Sequence, residues 1–131
     1  MTAGVTRAGP ITICARPRWT NTGVMLRKGR TYRITAAGTW HDWHIPSGPE
    51  GYRSNSVLLW LAAPLRRTGR ARWFALIGAQ RSWFPSRFTI GRETTHRARR
   101  DGPLWCYAND VWFMYFNNNG KVEVTVEEIP A

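Results

Sequence analysis

Lys121–Ile129 reads KVEVTVEEI, and its alternation decides the fold. Val122, Val124 and Val126 alternate with Glu123, Thr125 and Glu127. A period of two sends one set to a buried face and the other toward water, as in a half-buried strand. Working back from it, the same period recurs at Ile11–Ala15 in "GPITICAR". It recurs again beyond the "RKGR" turn, where Tyr32, Ile34 and Ala36 face one way and Arg33 and Thr35 the other. "SVLLWLAAPL" and "ARWFALIGA" are apolar throughout, as strands covered on both faces are. "SRFTIG", "PLWCYAND" and "WFMYF" complete the set. No stretch carries a 3.6-residue apolar stripe, and prolines such as Pro46, Pro64, Pro85 and Pro103 punctuate the rest. The pattern predicts an all-β, jelly-roll-like antiparallel β-sandwich of about eight strands with almost no helix.

The chain has 131 residues, which fits one domain over positions 1–131 with a real core and no linker or repeat. No run approaches the roughly 18 apolar residues of a membrane span. The opening "MTAGVTRAGPITICARPRW" lacks the apolar block of a secretory signal, so a cytoplasmic protein is expected, with export by another route as the alternative. Cys14 and Cys106 both lie in apolar runs. Two buried free thiols are expected, a single bridge from an early strand to a late one being the alternative.

Seventeen arginines and two lysines stand against 8 acidic residues, for a formal charge of +11. A charge of that sign draws a protein toward nucleic acid, anionic lipid or acidic glycans. The basic runs are "RRTGRAR" (Arg66 to Arg72) and "HRARR" (His96 to Arg100), with Trp60, Trp73 and Trp83 near them in sequence. Interleaved arginine and aromatic rings suit single-stranded nucleic acid; solvated loops have the same composition. Nothing in the chain carries a nucleophile elbow, a P-loop or an HExxH motif, and no triad is ordered around Ser54, Ser56, His44 and Asp42. No enzymatic activity is expected.

Immediately before the decisive strand stand Asn117, Asn118, Asn119 and Gly120, with Asp110 seven residues upstream of the first. Calcium takes about six to eight oxygens from carboxylates, amides, main-chain carbonyls and water. Asp110, Asn117 and Asn118 would supply three or four of them, a loop carbonyl another. The competing reading is a hairpin whose turn is closed by "NG". "WHDWH" (Trp40 to His44) offers His41, Asp42 and His44 for a transition metal, but three ligands on one short loop seldom suffice without a distant fourth. A polar loop with exposed Trp40 and Trp43 is the simpler reading.

The C-terminal third resembles the bacterial calcium-dependent galactophilic lectins, the LecA-like family. "PLWCYAND" from Gly102, the loop "VWFMYF", then "NNNG" and "KVEVTVEEI" follow that family's order of strand, loop, asparagine pair, glycine and final strand. "RKGRTYRITAAGTW" and "GPEG" (Gly48 to Gly51) are similar to its upstream segments, the first with one residue extra. The resemblance implies Ca2+ held by the Asp110 carboxylate, the side chains of Asn117 and Asn118, the main-chain carbonyl of Met114, and a second carbonyl from Asp42 or Trp43. It also implies that two adjacent sugar hydroxyls complete the calcium shell, with Asp110 and Asn117 hydrogen-bonded to them. The family's sugar-gripping His and Gln fall here at Asn55 and Leu58, and Leu59 to Arg72 is longer and more basic than the family's segment. Trp43 and Trp112 lie near enough in sequence to stack on a sugar. The expected partners are therefore a carbohydrate, galactose-type or an acidic glycan, and a homo-oligomer of the chain itself. The alternative is a polyanion-binding module that uses the arginine-rich loops.

Overall fold

The computed structural model describes residues 7–52, 72–80, 86–110 and 115–130. They form nine strands: β1 (Arg7–Cys14), β2 (Thr20–Leu26), β3 (Thr31–Asp42), β4 (Ile45–Ser47), β5 (Leu76–Ala79), β6 (Phe88–Thr89), β7 (Glu93–Arg97), β8 (Gly102–Ala108) and β9 (Asn118–Ile129). A 3-10 turn, Tyr115–Asn117, leads into β9. One sheet runs β1-β9-β3-β4 with β7 also paired to β3, and the other runs β2-β8-β5-β6. Every pairing is antiparallel. The expected antiparallel β-sandwich is thus present. "SVLLWLAAPL", predicted as a strand, lies outside the described residues.

β9 and β3 form the spine of the first sheet, paired in unbroken register from Thr31 opposite Ile129 to Asp42 opposite Asn118. Val122, Val124 and Val126 are buried, and so are Tyr32, Ile34 and Ala36 across from them. Their alternation is what the quoted stretch dictates: each fully buried apolar side chain contributes about 1.5–3 kcal/mol, so a one-residue slip would expose the whole row. Ile13 of the same sheet, with Leu26, Leu76, Leu104 and Cys106 of the opposing sheet, closes the core.

β5 is buried at all four positions, Leu76 to Ala79, as its continuous apolar run predicts. Ile77 does not face the main core. It packs with Ala75 and Tyr107 in a second cluster covered by Trp19. Trp19 meets Tyr107 edge-on at 5.1 Å, and the Arg87 guanidinium lies 5.5 Å from the Trp19 ring centroid. The arginine stem and the indole thus seal the outer face of this sheet.

Besides Trp40, read as exposed and found fully buried within β3, two expectations are corrected. Cys106 is buried, which pushes its thiol up to about 12, but Cys14 is exposed, and both are free. Cys14 follows the inward Ile13 on β1, so the strand period turns it outward. The second correction concerns "NNNG", which is not a hairpin turn: Asn118 and Asn119 already pair within β9 with Asp42 and His41. Gly120 sits inside β9 with φ 83°, where a Cβ would come within 2.9 Å of the Trp40 Cα. Glycine is required there by close approach of two strands, not by a turn.

Candidate functional site

The site is built where β3 and β9 end side by side. β3 finishes at Asp42, and the two-residue loop Trp43–His44 returns the chain into β4, with Asp42 paired to Ile45. Trp43 takes φ 57°, the left-handed conformation that such tight hairpin loops use. Its amide donates to the Asn117 carbonyl at 3.2 Å, so the hairpin is fastened to the asparagine run. Asp42 and Trp43, the two alternatives for a main-chain ligand, therefore both lie beside Asn117 and Asn118.

Asn118 is wholly buried. Its Nδ2 donates to the Ala15 carbonyl at 3.1 Å, which fixes the amide orientation and leaves Oδ1 on the other side. That Oδ1 accepts no hydrogen bond, and neither does the buried Oδ1 of Asn117. Each buried polar atom left so forfeits about 1–3 kcal/mol, and native structures hold few of them. Two such oxygens thus stand on consecutive residues at one strand end. Arg16 braces the same segment, its Nε donating to the Asn118 carbonyl at 3.2 Å and its Nη2 to Asn119 Oδ1 at 3.0 Å.

Asp110 follows β8 and is 3% exposed. Its neighbour Asn109 holds it in place: the Asn109 amide and carbonyl bond to Ala75 and Phe74, and Nδ2 donates to the Arg72 carbonyl at 2.9 Å. The Tyr115 hydroxyl donates to the Ala108 carbonyl, which ties the 3-10 turn back to the end of β8. Asp110 and Asn117 thus belong to two ends of one clamped loop.

Tyr52 lies against a second carboxylate, Asp42. Its hydroxyl donates to Asp42 Oδ2 at 2.5 Å. Burial, then the hydrogen bond and charge of Asp42, then the charge of Asp110 hold the phenol well above its ordinary range, so it stays a donor. Asp42 itself is raised from 3.8, chiefly by burial, with the Tyr52 hydrogen bond opposing.

A carboxylate raised on folding binds its proton more tightly in the native state. Its stabilising contribution is full below the unfolded value and lost as pH rises through the folded one. Metal-free Asp42→Asn protein is therefore expected to gain melting temperature on the wild type as pH climbs from 3.8 toward neutrality. Paired melts in chelator across that window check it, and a constant difference would refute the assignment.

Of the residues singled out in the sequence, Asn117, Asn118, Asp42 and Trp43 come together here, and the charge of Asp110 reaches Tyr52 beside Asp42. Met114, Asn55 and Trp112 lie outside the described residues, as do Arg66, Arg67 and Arg70. His41 and His44 flank Asp42, but among the described residues no three His, Cys, Asp or Glu side chains are grouped to hold a metal. The sequence reading missed Tyr52, Arg16 and Phe116. Phe116 is 70% exposed between Tyr115 and Asn117, and Trp43 is 62% exposed across from it on the hairpin. Two large aromatic side chains thus rim a polar end of the sandwich.

Among solved structures, the fold has a counterpart described as "EclA N-terminal domain; PllA-like lectin". The similarity covers 90% of this chain and 93% of that one, at a TM-score of 0.65 and 21% identity. The two share one fold. No family model and no curated protein matches the chain. At that identity the backbone arrangement is what the two have in common, and the chemistry has to be argued from the side chains present in this one.

The donor set fits a hard divalent cation. Amide oxygens and carboxylates are the ligands calcium prefers, and thiol or imidazole groups are not part of the cluster. The oxygens of Asn117 and Asn118 that lack donors are the kind of atom a cation would satisfy.

Proposed function

We propose that the protein is a calcium-dependent lectin, in which Asp110, Asn117 and Asn118 hold the ion with main-chain carbonyls of Met114 and of Asp42 or Trp43. The observation that carries this reading is the pair of buried amide oxygens on Asn117 and Asn118 that accept no hydrogen bond. A hairpin built only for stability would turn them to water or to a donor, since leaving both bare is costly. The shared fold with a lectin domain supports the reading, as does the order of residues from Asp110 to Gly120.

Calcium, when bound, would supply coordination positions that two adjacent sugar hydroxyls can fill in place of water. The chain's own residues do the rest. Asn118, fixed by Ala15, presents its oxygen without needing to reorganise. The Asp110 carboxylate supplies charge and accepts a proton-side hydrogen bond from a sugar hydroxyl. Trp43 and Phe116 offer apolar surface at the rim for the carbon face of a ring, the geometry in which aromatic side chains bury sugar C–H groups. The preferred sugar is galactose-type, with an acidic glycan second, and assembly into a homo-oligomer would raise a weak single-site affinity by multivalency.

A melt of chelator-stripped protein tests this. A ligand that binds only the native state stabilises it by about 2.7 kcal/mol at a hundredfold excess over Kd, on the order of 10 °C for a chain of this size. Calcium is expected to give such a rise and magnesium a much smaller one, because magnesium demands a tighter octahedral shell and dehydrates reluctantly. Galactose-bearing glycans are then expected to bind in calcium and not in chelator. Absence of any shift in millimolar calcium would sink the reading.

A further inference from the structure

The opposite end of the sandwich holds a groove of about 640 Å³ lined by Lys28, Arg87, Phe88, His96, Arg97 and Arg99, among others. β3 separates it from the candidate calcium site. Arg97 pairs with Thr31 at the start of that strand and Asn118 with Asp42 at its end. Twelve strand residues at about 3.3 Å each put the two ends roughly 35 Å apart. No single sugar unit reaches both.

We propose that this groove is a second, calcium-independent binding site, for a sugar residue carrying a carboxylate or sulfate. Lys28, Arg97 and Arg99 line it, and Arg87 borders it from its place over Trp19 and Tyr107. The ion pairs of Arg30 with Glu128, Arg92 with Glu50 and Lys121 with Glu123 involve none of Lys28, Arg97 and Arg99. Asp101 is adjacent, but its Oδ1 accepts the Lys28 backbone amide at 2.7 Å. Like charges held this close repel one another, and an exposed loop would let them spread.

Here the backbone holds them. Gly29 donates to the Ala98 carbonyl at 2.8 Å and Ala98 to the Arg30 carbonyl at 3.0 Å, which locks the Lys28 turn against the Arg97–Arg99 segment. Beneath them Gln80 donates through Nε2 to the Arg100 carbonyl at 2.7 Å, and its amide donates to Ser86 Oγ at 2.7 Å. The fixed backbone keeps the stems of these cations on one groove, and guanidinium groups meet a planar or tetrahedral oxyanion with paired N–H bonds.

The aromatic side chains argue for a sugar over a nucleobase. Phe88 and His96 stack on each other at 3.7 Å and 5°. Trp19 and Tyr107 pack edge-to-face, with Arg87 over both rings. Single-strand binding depends on aromatic faces open to successive bases. These rings are committed to each other and to Arg87. The groove volume lies within the range of about 300–1,000 Å³ usual for small-ligand sites.

The test is calorimetric titration of the full chain with a sulfated tetrasaccharide cut from heparin, in chelator, at low and raised salt. Binding is expected without calcium and should weaken with salt. Arg97→Gln combined with Arg99→Gln should weaken it by about tenfold or more, a loss of two charge-assisted contacts. Both side chains are exposed, so the variant is expected to fold. Arg7→Gln with Lys121→Gln removes the same net charge elsewhere and should change affinity by less than about twofold. Asp110→Asn should bind as the wild type does, which separates this site from the calcium reading whichever way that one falls. Unchanged binding in the Arg97/Arg99 variant, equal loss in the charge-matched control, a need for calcium, or tighter binding of a single-stranded oligonucleotide of equal charge would each overturn the proposal.

Discussion

Asp110→Asn is expected to abolish the calcium-dependent rise in melting temperature and to weaken calcium binding by at least about 100-fold, or about 2.7 kcal/mol. The substitution keeps the shape of the side chain and removes its charge. The proposed donor set otherwise consists of neutral amide and carbonyl oxygens, so Asp110 supplies its only formal charge in direct contact with the ion. Affinity in oxygen-ligated sites follows ligand charge, and a site this poor in carboxylates has little to lose before it fails. In chelator the same variant should melt within a few degrees of wild type, because a buried carboxylate near the charge of a second one is replaced by a neutral group of equal volume. Melts and calcium titrations of the two proteins read both effects. An undiminished calcium shift in Asp110→Asn would move the ion away from this loop, whereas a collapse of the metal-free fold would make Asp110 a structural residue.

The contrast between Asn118 and Tyr52 shows which parts of the site the sequence could reveal. Asn118 lies within a contiguous pattern, Asp110 through Gly120, that precedes a strand of unmistakable period. Oxygen-bearing side chains at short spacing are legible because chain connectivity keeps them close. Tyr52 acts through Asp42, ten residues away across a hairpin and a loop, and its role appears only once β3 and β4 are paired. Nothing about a lone tyrosine after "GPEG" signals a hydroxyl aimed at a carboxylate. Arg16 is more remote still, reaching Asn118 and Asn119 from the far side of the chain because Ala15 runs beside β9.

Gly120 misled for a physical reason. An Asn-Gly pair is the strongest local turn signal, yet what this glycine supplies is room for the Trp40 backbone. Local propensity and tertiary contact ask for the same residue, and sequence alone does not separate them. The burial of Val122, Val124 and Val126, by contrast, was readable because period and environment agree. The groove at the other end was half-readable: "HRARR" gave the charge, but the nearness of Lys28 and Arg87 follows only from the pairing of β7 with β3 and the stacking of Phe88 on His96.

Trp40→Ala is expected to cost about 3 kcal/mol of folding stability and to lower the melting temperature by roughly 10 °C. Trp40 is fully buried on β3, two residues before Asp42, and packs its ring edge-on against Phe74 at 5.6 Å. Truncating a buried tryptophan costs about 3–5 kcal/mol through lost contacts and the cavity left behind. One effect runs the other way. The indole Nε1 is buried with no hydrogen-bond partner, so its removal relieves a penalty of about 1 kcal/mol and sets the net cost at the lower end. The same argument makes Trp40→Phe mild, within about 1 kcal/mol, because the lost volume is offset by the lost orphan donor. Equilibrium denaturation with an unchanged m-value would place both effects in the native state. The calcium response should suffer in Trp40→Ala and survive in Trp40→Phe, since the cavity lies under the hairpin that fastens Trp43 to Asn117. If Phe instead proved as costly as Ala, the indole N–H would have a partner that matters, and the floor of the site would have to be redrawn around it.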